Sequence, residues 1–272
     1  MDDGQKRSHP KFCVSFPMIR LIRAMPASSV QHKRTLAVAC LAIACTAGAQ
    51  HANADDFIVY SPHVVATQSE IELRGYQYDD PRAGYHDGSA AELSLAHTFN
   101  SWWKAELYVA KYQKAPGEGE HLLGYEFENT FQLTPPGEYW ADFGFLAAYE
   151  HNTRPGAPDT AEFGPLIEKT AGRFTHTVNL IWEKQLGAGA AGKYEFRYSY
   201  QGTYTVSSAF RPGIEAYGRP SDHAYQAGPV VAGDWHIPDT TGEIEYRLGM
   251  VFGINAKAPR RTVLAQVEYE FF

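Results

Sequence analysis

Between residues 70 and 272 the chain alternates apolar and polar side chains, with a period of two, in twelve separate runs of roughly 9–13 residues. Successive side chains of a β-strand point to opposite faces, so each run commits one whole face to an apolar environment. The runs span 70–78, 89–99, 102–112, 122–133, 139–150, 160–169, 173–185, 193–201, 206–218, 224–233, 242–254 and 261–272, and Gly, Pro, Asn and Asp punctuate them. Helical periodicity is scarce. No stretch after residue 54 approaches 18 consecutive apolar residues, so no transmembrane helix is expected there. Pro165, Pro212 and Pro229 fall inside runs and read as bulges or bends, since proline cannot donate to a ladder.

Within the runs the two faces separate cleanly. Leu123, Tyr125, Phe127, Phe131 and Leu133 share one face, and Glu126, Glu128, Thr130 and Gln132 share the other. Ile244, Tyr246, Leu248, Met250, Phe252 and Ile254 likewise oppose Glu243, Glu245 and Arg247. Six runs carry a pair of acids: Glu70/Glu72, Glu126/Glu128, Asp142/Glu150, Glu162/Glu168, Glu243/Glu245 and Glu268/Glu270. Both members of every pair fall on the same face, which chance would give roughly one time in 64 if each pair were a coin toss. Lys111, Lys169, Lys184 and Arg261 fall on the apolar face near run ends, where long side chains can snorkel.

A soluble barrel turns its apolar face inward, and a membrane barrel turns it toward lipid. Three features favour lipid here. Aromatic residues cluster on the apolar face near run ends, as in interfacial girdles. The run length matches the roughly 9–11 residues that a tilted strand needs to cross a bilayer. Connections after odd runs (79–88, 113–121, 151–159, 186–192) are long, whereas several after even runs (Asn100-Ser101, Thr134–Gly137, Thr170–Gly172) are tight, although 234–241 departs from this rule. The expected fold is a transmembrane antiparallel up-and-down β-barrel of about 12 strands, with both termini on the short-turn side.

The N-terminal region reads as a targeting segment. His32-Lys33-Arg34 precede the apolar stretch Thr35–Ala49, and Ala52-Asn53-Ala54 offers a small-x-small cleavage site. Residues 1–54 are therefore expected to be a leader and secretory signal peptide cleaved after Ala54, with Met1 or Met25 as the start. Cys13, Cys40 and Cys45 all precede the cut, which leaves an exported chain without thiols. The remaining residues hold 17 Lys and Arg against 29 Asp and Glu, a balance of −12, which argues against a nucleic-acid partner. Residues 55–69 form an extension that reads either as a plug in the lumen or as an extra edge strand. Residues 70–272 form the barrel.

The signal segment and the patterned region together resemble the Gram-negative outer-membrane β-barrel class. The closing strand VLAQVEYEFF is similar to the assembly signal of that class, which would rest on Tyr269, Phe271 and Phe272. Tyr269 and Phe271 keep the apolar phase, and Phe272 lies one residue beyond it. Either the signal is displaced by one residue or Phe272 turns inward. The resemblance implies location in the outer membrane, with its lipid and the barrel-assembly machinery as partners.

On the polar face 17 acids meet six basic residues, Arg74, Lys104, Lys193, Arg197, Arg211 and Arg247. Buried charges need partners, so this imbalance implies a hydrated, cation-preferring lumen. Its acidic wall is expected from Glu126, Glu128, Asp142, Glu162, Glu168, Glu183 and Glu195, with Arg197, Arg211 and Arg247 as counter-charges. Twelve strands lie between the number that side chains can fill and the number that leaves a wide pore. The expected function is a narrow passive porin-like pathway for small solutes. Two alternatives stay open: a barrel enzyme acting on lipid, with Ser207 and Ser208 candidates by type alone, and a closed structural or binding barrel. The histidines at 63, 86, 97, 121, 151, 176, 223 and 236 form no HxxxH or HExxH pair, so no metal or cofactor is expected.

Overall fold

The computed structural model describes residues 57–82, 88–114 and 119–272. The leader, its cleavage site and the three cysteines lie outside these residues. The described chain forms twelve antiparallel strands: β1 (Ser69–Asp79), β2 (Ser89–Asn100), β3 (Trp103–Lys114), β4 (Glu120–Gln132), β5 (Asp142–Asn152), β6 (Asp159–Ala171), β7 (Phe174–Leu186), β8 (Tyr194–Tyr204), β9 (Arg211–Arg219), β10 (Ala224–His236), β11 (Glu243–Gly253) and β12 (Arg261–Phe271). Each strand pairs with its sequence neighbours, and β1 pairs with β12 from Ser69↔Phe271 to Asp79↔Arg261. The sheet therefore closes into an up-and-down barrel, which leaves no edge strand unpaired.

The faces fall as the acid parity requires. Leu73, Leu95, Phe127, Tyr149, Leu248 and Val267 point outward and are exposed. Glu70, Glu92, Glu126, Glu162, Glu183 and Glu215 point inward and are buried. A surface this apolar around a charged interior is the inverse of a water-soluble protein, so lipid is the outer solvent of the barrel. Aromatic stacks mark the rim where β1 begins and β12 ends, here called the lower rim. Phe99 stacks on Trp103 at 4.7 Å, and Tyr269 on Phe271 at 5.4 Å. Phe272 follows the last strand residue and is exposed.

Two expectations need correction. The first concerns connection length. The lower links 101–102 and 172–173 are tight, but 133–141, 205–210 and 237–242 are at least as long as the upper links 153–158 and 220–223. Length alternation is thus confined to two of the hairpins. In the first of the long lower links, Gly137 takes a φ of 75° and its N–H donates to Asp142, so a structured turn replaces a tight one.

The second correction concerns Lys111, expected on the lipid face and found fully buried inside the barrel. A β-bulge at Val109–Ala110 is responsible. Leu93 pairs with Ala110 and Ser94 with Tyr108, so β3 carries one residue more than β2 at this point. An extra residue reverses the parity of everything after it, and Tyr108 and Lys111 both turn inward. Pro165 and Pro229 sit at gaps in a ladder that keep register and are not bulges, and Pro212 pairs in register with Val231. The β6–β7 ladder skips residues 164 and 165, and the β10–β11 ladder skips 228 and 229, so Pro165 and Pro229 withhold their missing donor on the side that does not need it.

Candidate functional site

The lumen of a twelve-stranded barrel is wider than its own side chains can fill. Here residues 57–68, which belong to no ladder, run through it. Phe57 packs in a buried cluster with Tyr76, Tyr78, Tyr217, Val251 and Leu264 from β1, β9, β11 and β12. Ile58 and Tyr60 pack across the lumen on Leu146, Leu166 and Ile181 from β5, β6 and β7. Apolar side chains on the inner wall thus meet apolar side chains of the segment, and the barrel has a small internal core on each side of it.

Because a buried backbone needs partners, wall side chains supply them. Asn179 bonds Tyr60 reciprocally, accepting from its N–H at 2.8 Å and donating to its carbonyl at 2.9 Å. Gln132 accepts from the N–H of Val64 at 2.8 Å, and Arg247 Nη2 donates to the carbonyl of Phe57 at 2.9 Å. Pro62 lies so close to β5 that a Cβ at Gly144 would stand 2.9 Å from its Cα. His63 Nε2 lies 3.0 Å from Asp142 Oδ2 and its Nδ1 lies 3.7 Å from Glu168 Oε1.

Above the segment, charge networks fill the lumen. Lys111 Nζ donates to Glu126 and Glu150 at 2.5 Å each and lies 3.6 Å from Glu92. Arg74 Nε donates to the same Glu92 at 2.7 Å, and its guanidinium lies over the Tyr108 ring at 4.5 Å. On the opposite wall Arg197 donates to Glu183 at 2.7 Å and to Glu162 at 2.5 Å. Arg219 reaches Glu183 at 2.8 Å and Glu195 at 3.3 Å. Arg247 donates to Glu215 at 3.0 Å, to Gln266 at 2.9 Å and to the Tyr217 hydroxyl at 2.9 Å. Lys111, Arg74, Arg197 and Arg219 are each shared between carboxylates, which suits the excess of acids.

Below and beside the segment lies a cavity of about 480 Å³ that reaches the lower-rim residues Gln68, Thr205 and Glu270. Eight glutamates line it against the cations Arg74, Lys104, Arg211 and Arg247. The strand register explains the crowding. Glu70 pairs directly with Glu270 and Glu72 with Glu268, while Glu243 faces Glu270 and Glu245 faces Glu268. Glu106 faces Glu128 in the same way. Like charges directly opposite one another are unfavourable. Lys104 Nζ relieves one carboxylate, donating to Glu70 at 2.7 Å, and Arg211 relieves Asp234 and Glu245.

The ten lumen residues expected from sequence therefore divide. Glu126, Glu162, Glu183, Glu195 and Arg197 belong to the upper networks. Glu128, Glu168, Arg211 and Arg247 line the cavity. Asp142 meets His63 of the segment. Sequence reasoning missed Lys111, Arg219 and Asn179, and also the inward Leu146, Leu166 and Ile181; it put Gln132 on the inner face without a role. A signal for Lys111 exists: polar residues in β3 change phase between Glu106 and Lys111, as a bulge requires. Ser207 and Ser208 lie in the lower link 205–210, where Ser207 bridges to Phe210. None of the described histidines hydrogen-bonds to either serine. Among the described residues no group of three His, Cys, Asp or Glu side chains is arranged to hold a metal ion.

A closed antiparallel ring, an apolar exterior with aromatic rims and a charged interior together define a transmembrane β-barrel of the outer-membrane class. No protein-family model matches the chain, and no curated protein matches its sequence. Among solved structures it is similar to the COG4313 outer membrane channel from Pseudomonas putida F1, with a TM-score of 0.51 and 12% identity over 76% of this chain and 95% of that one. It also matches the NanC porin (TM-score 0.48, 10% identity, 74% of this chain and 99% of that one). A third match is the outer membrane protein Omp33 of Acinetobacter baumannii (0.41, 11%, 75% and 97%). At such identity the likeness is one of fold.

Proposed function

We propose that this barrel is a narrow, passive, porin-like pathway for small solutes across the outer membrane, and that it prefers cations. The observation that carries the reading is the cavity at the lower rim, where eight glutamates outnumber four cations. Closely spaced carboxylates without matching counter-charges stay ionised only when water or mobile cations reach them, and a ring of such groups attracts cations and repels anions. In this orientation the lower rim faces the periplasm, and residues 57–68 set the bore. Recording from the purified protein in planar bilayers tests the pathway: no discrete conductance at any voltage would end it. The reversal potential in a salt gradient tests the preference separately, and an anion-selective value would end that alone.

A second reading has its own support. The segment is held by Asn179, Gln132 and Arg247 at three heights, as expected of a closed binding or structural barrel. Conductance that is absent from the full chain and present after deletion of residues 57–66 favours this reading.

A further inference from the structure

Asp142 of β5 and Glu168 of β6 are direct cross-strand partners. Two carboxylates in this relation repel. The group that lies between them comes neither from β5 nor from β6. It is His63, with Nε2 3.0 Å from Asp142 Oδ2 and Nδ1 3.7 Å from Glu168 Oε1. We propose that His63 is a pH-sensitive latch: protonated, its ring bridges Asp142 and Glu168 and seats the 57–68 segment, and deprotonated, it releases one of the two and lets the segment loosen.

The chemistry follows from the imidazole. A neutral ring has one N–H, so it can donate to Asp142 or to Glu168 but not to both. The protonated ring donates from both nitrogens and adds a positive charge between two acids. Histidine is the side chain that ordinarily changes charge between about pH 5 and 8. Among the described residues no other cation pairs with Asp142 or Glu168. β5 presents Asp142, whose second oxygen accepts from Gly137 N–H at 2.7 Å. β6 presents Glu168, and β7 presents the neutral Thr177, whose hydroxyl donates to Glu168 Oε2 at 3.0 Å. β4 presents the neutral amide of Gln132, already engaged with Val64. Lys104, Arg211 and the remaining glutamates line the wider cavity, with Lys104 on Glu70 and Arg211 on Glu245.

His63 stands directly between Val64, which Gln132 holds, and Pro62, which lies tight against Gly144. Loosening His63 therefore acts beside the tight packing of Pro62 on β5. The anchors at Tyr60 and Phe57 are bonds from the Asn179 amide and the Arg247 guanidinium, neither of which changes charge between about pH 5 and 8, so they keep the upper part of the segment in place while the lower part moves.

The direct test is a spin label on a single cysteine at Val65, in a full chain whose Cys13, Cys40 and Cys45 are replaced by serine. Spectra are compared at about pH 5.5 and 8, a range over which histidine side chains ordinarily change charge. The expected result is an immobilised label at the lower pH and a three- to tenfold rise in the mobile-to-immobile ratio at the higher one, on the order of one hydrogen bond. In His63→Gln the ratio should not change with pH, because glutamine keeps one bond and cannot gain the charge. Asp142→Asn with Glu168→Gln should do the same. Heat-modifiable gel mobility confirms that each variant is folded, and if the double variant is not, His63→Gln decides. An unchanged wild-type ratio, or equal pH dependence in His63→Gln, overturns the latch. The effect on conductance rests on the channel reading, and the two separate cleanly. A pH-dependent label with no conductance at either pH sinks the channel and leaves the latch. Conductance with a pH-independent label sinks the latch and leaves the channel.

Discussion

Lys111 Nζ and Glu150 Oε2 lie 2.5 Å apart inside the barrel, although strict alternation along β3 would place the lysine in lipid. The bulge at Val109–Ala110 brings the pair together. Glu126 at 2.5 Å and Glu92 at 3.6 Å complete the shell. With the lysine removed, three buried carboxylates would share no amine. Lys111→Met should therefore destabilise the barrel by on the order of 3 to 5 kcal/mol, the usual cost of orphaning buried charge. Urea unfolding followed by tryptophan fluorescence reads the loss. Adding Glu126→Gln and Glu150→Gln should recover much of it.

Asn179 is fully buried, makes both bonds that hold Tyr60, and also accepts from the Ser199 hydroxyl at 2.9 Å. Replacing it with leucine keeps the volume and removes both bonds. At about 1 kcal/mol each, the loss should raise the open fraction by roughly tenfold or more. In single-channel records, Asn179→Leu should flicker to a larger state more often than the wild type. Identical traces would mean that the segment does not set the bore.

Glu70 and Glu270 face each other across the β1–β12 seam at the lower rim. Changing both to glutamine removes charge where a permeating ion first meets the wall. The reversal potential should move toward zero, and the difference from wild type should shrink as salt rises and the Debye length falls from about 10 Å to 3 Å.

Gly144 leaves room for Pro62. A valine there would force the segment away from β5, since its Cβ meets Pro62 at 2.9 Å and the carbonyl of Phe131 at 3.1 Å. Gly144→Val should increase conductance while leaving heat-modifiability intact, because the clash is with the segment first and the wall second.

Leu248 sits midway along β11 and faces outward, 48% exposed. If hydrocarbon surrounds it, Leu248→Arg should cost about 2 to 4 kcal/mol in lipid vesicles. The same change on a water-exposed face would cost almost nothing, so the size of the effect identifies the solvent.

The ring itself was legible in the sequence because lipid imposes one rule on every strand. Glu126 and Glu128 in β4, like Glu243 and Glu245 in β11, keep a single phase over their whole length, and hydrogen-bond pairing then needs only neighbours. What escaped depends on exceptions to that rule. Lys111 changed sides because one inserted residue is invisible to a parity count unless the polar phase is tracked along the strand. Arg219 was lost because β9 continues one residue past its last clear alternation. Leu146, Leu166 and Ile181 occupy polar-face positions, and their apolar character makes sense only once Ile58 and Tyr60 stand opposite them. Contacts between a wall and an unpatterned segment leave no periodic trace. The lower turns show the same limit, for Gly137 and Asp142 organise a long link that composition alone makes look short.

Thr67 adopts a φ of 68°, a left-handed conformation that a β-branched residue takes only under constraint. Its N–H donates to the carbonyl of Thr98, and Gln68 follows directly into β1. The chain thus doubles back at one corner, from the interior to the wall, within two residues. That corner fixes the arm's point of entry at the lower rim, beside the seam between β1 and β12.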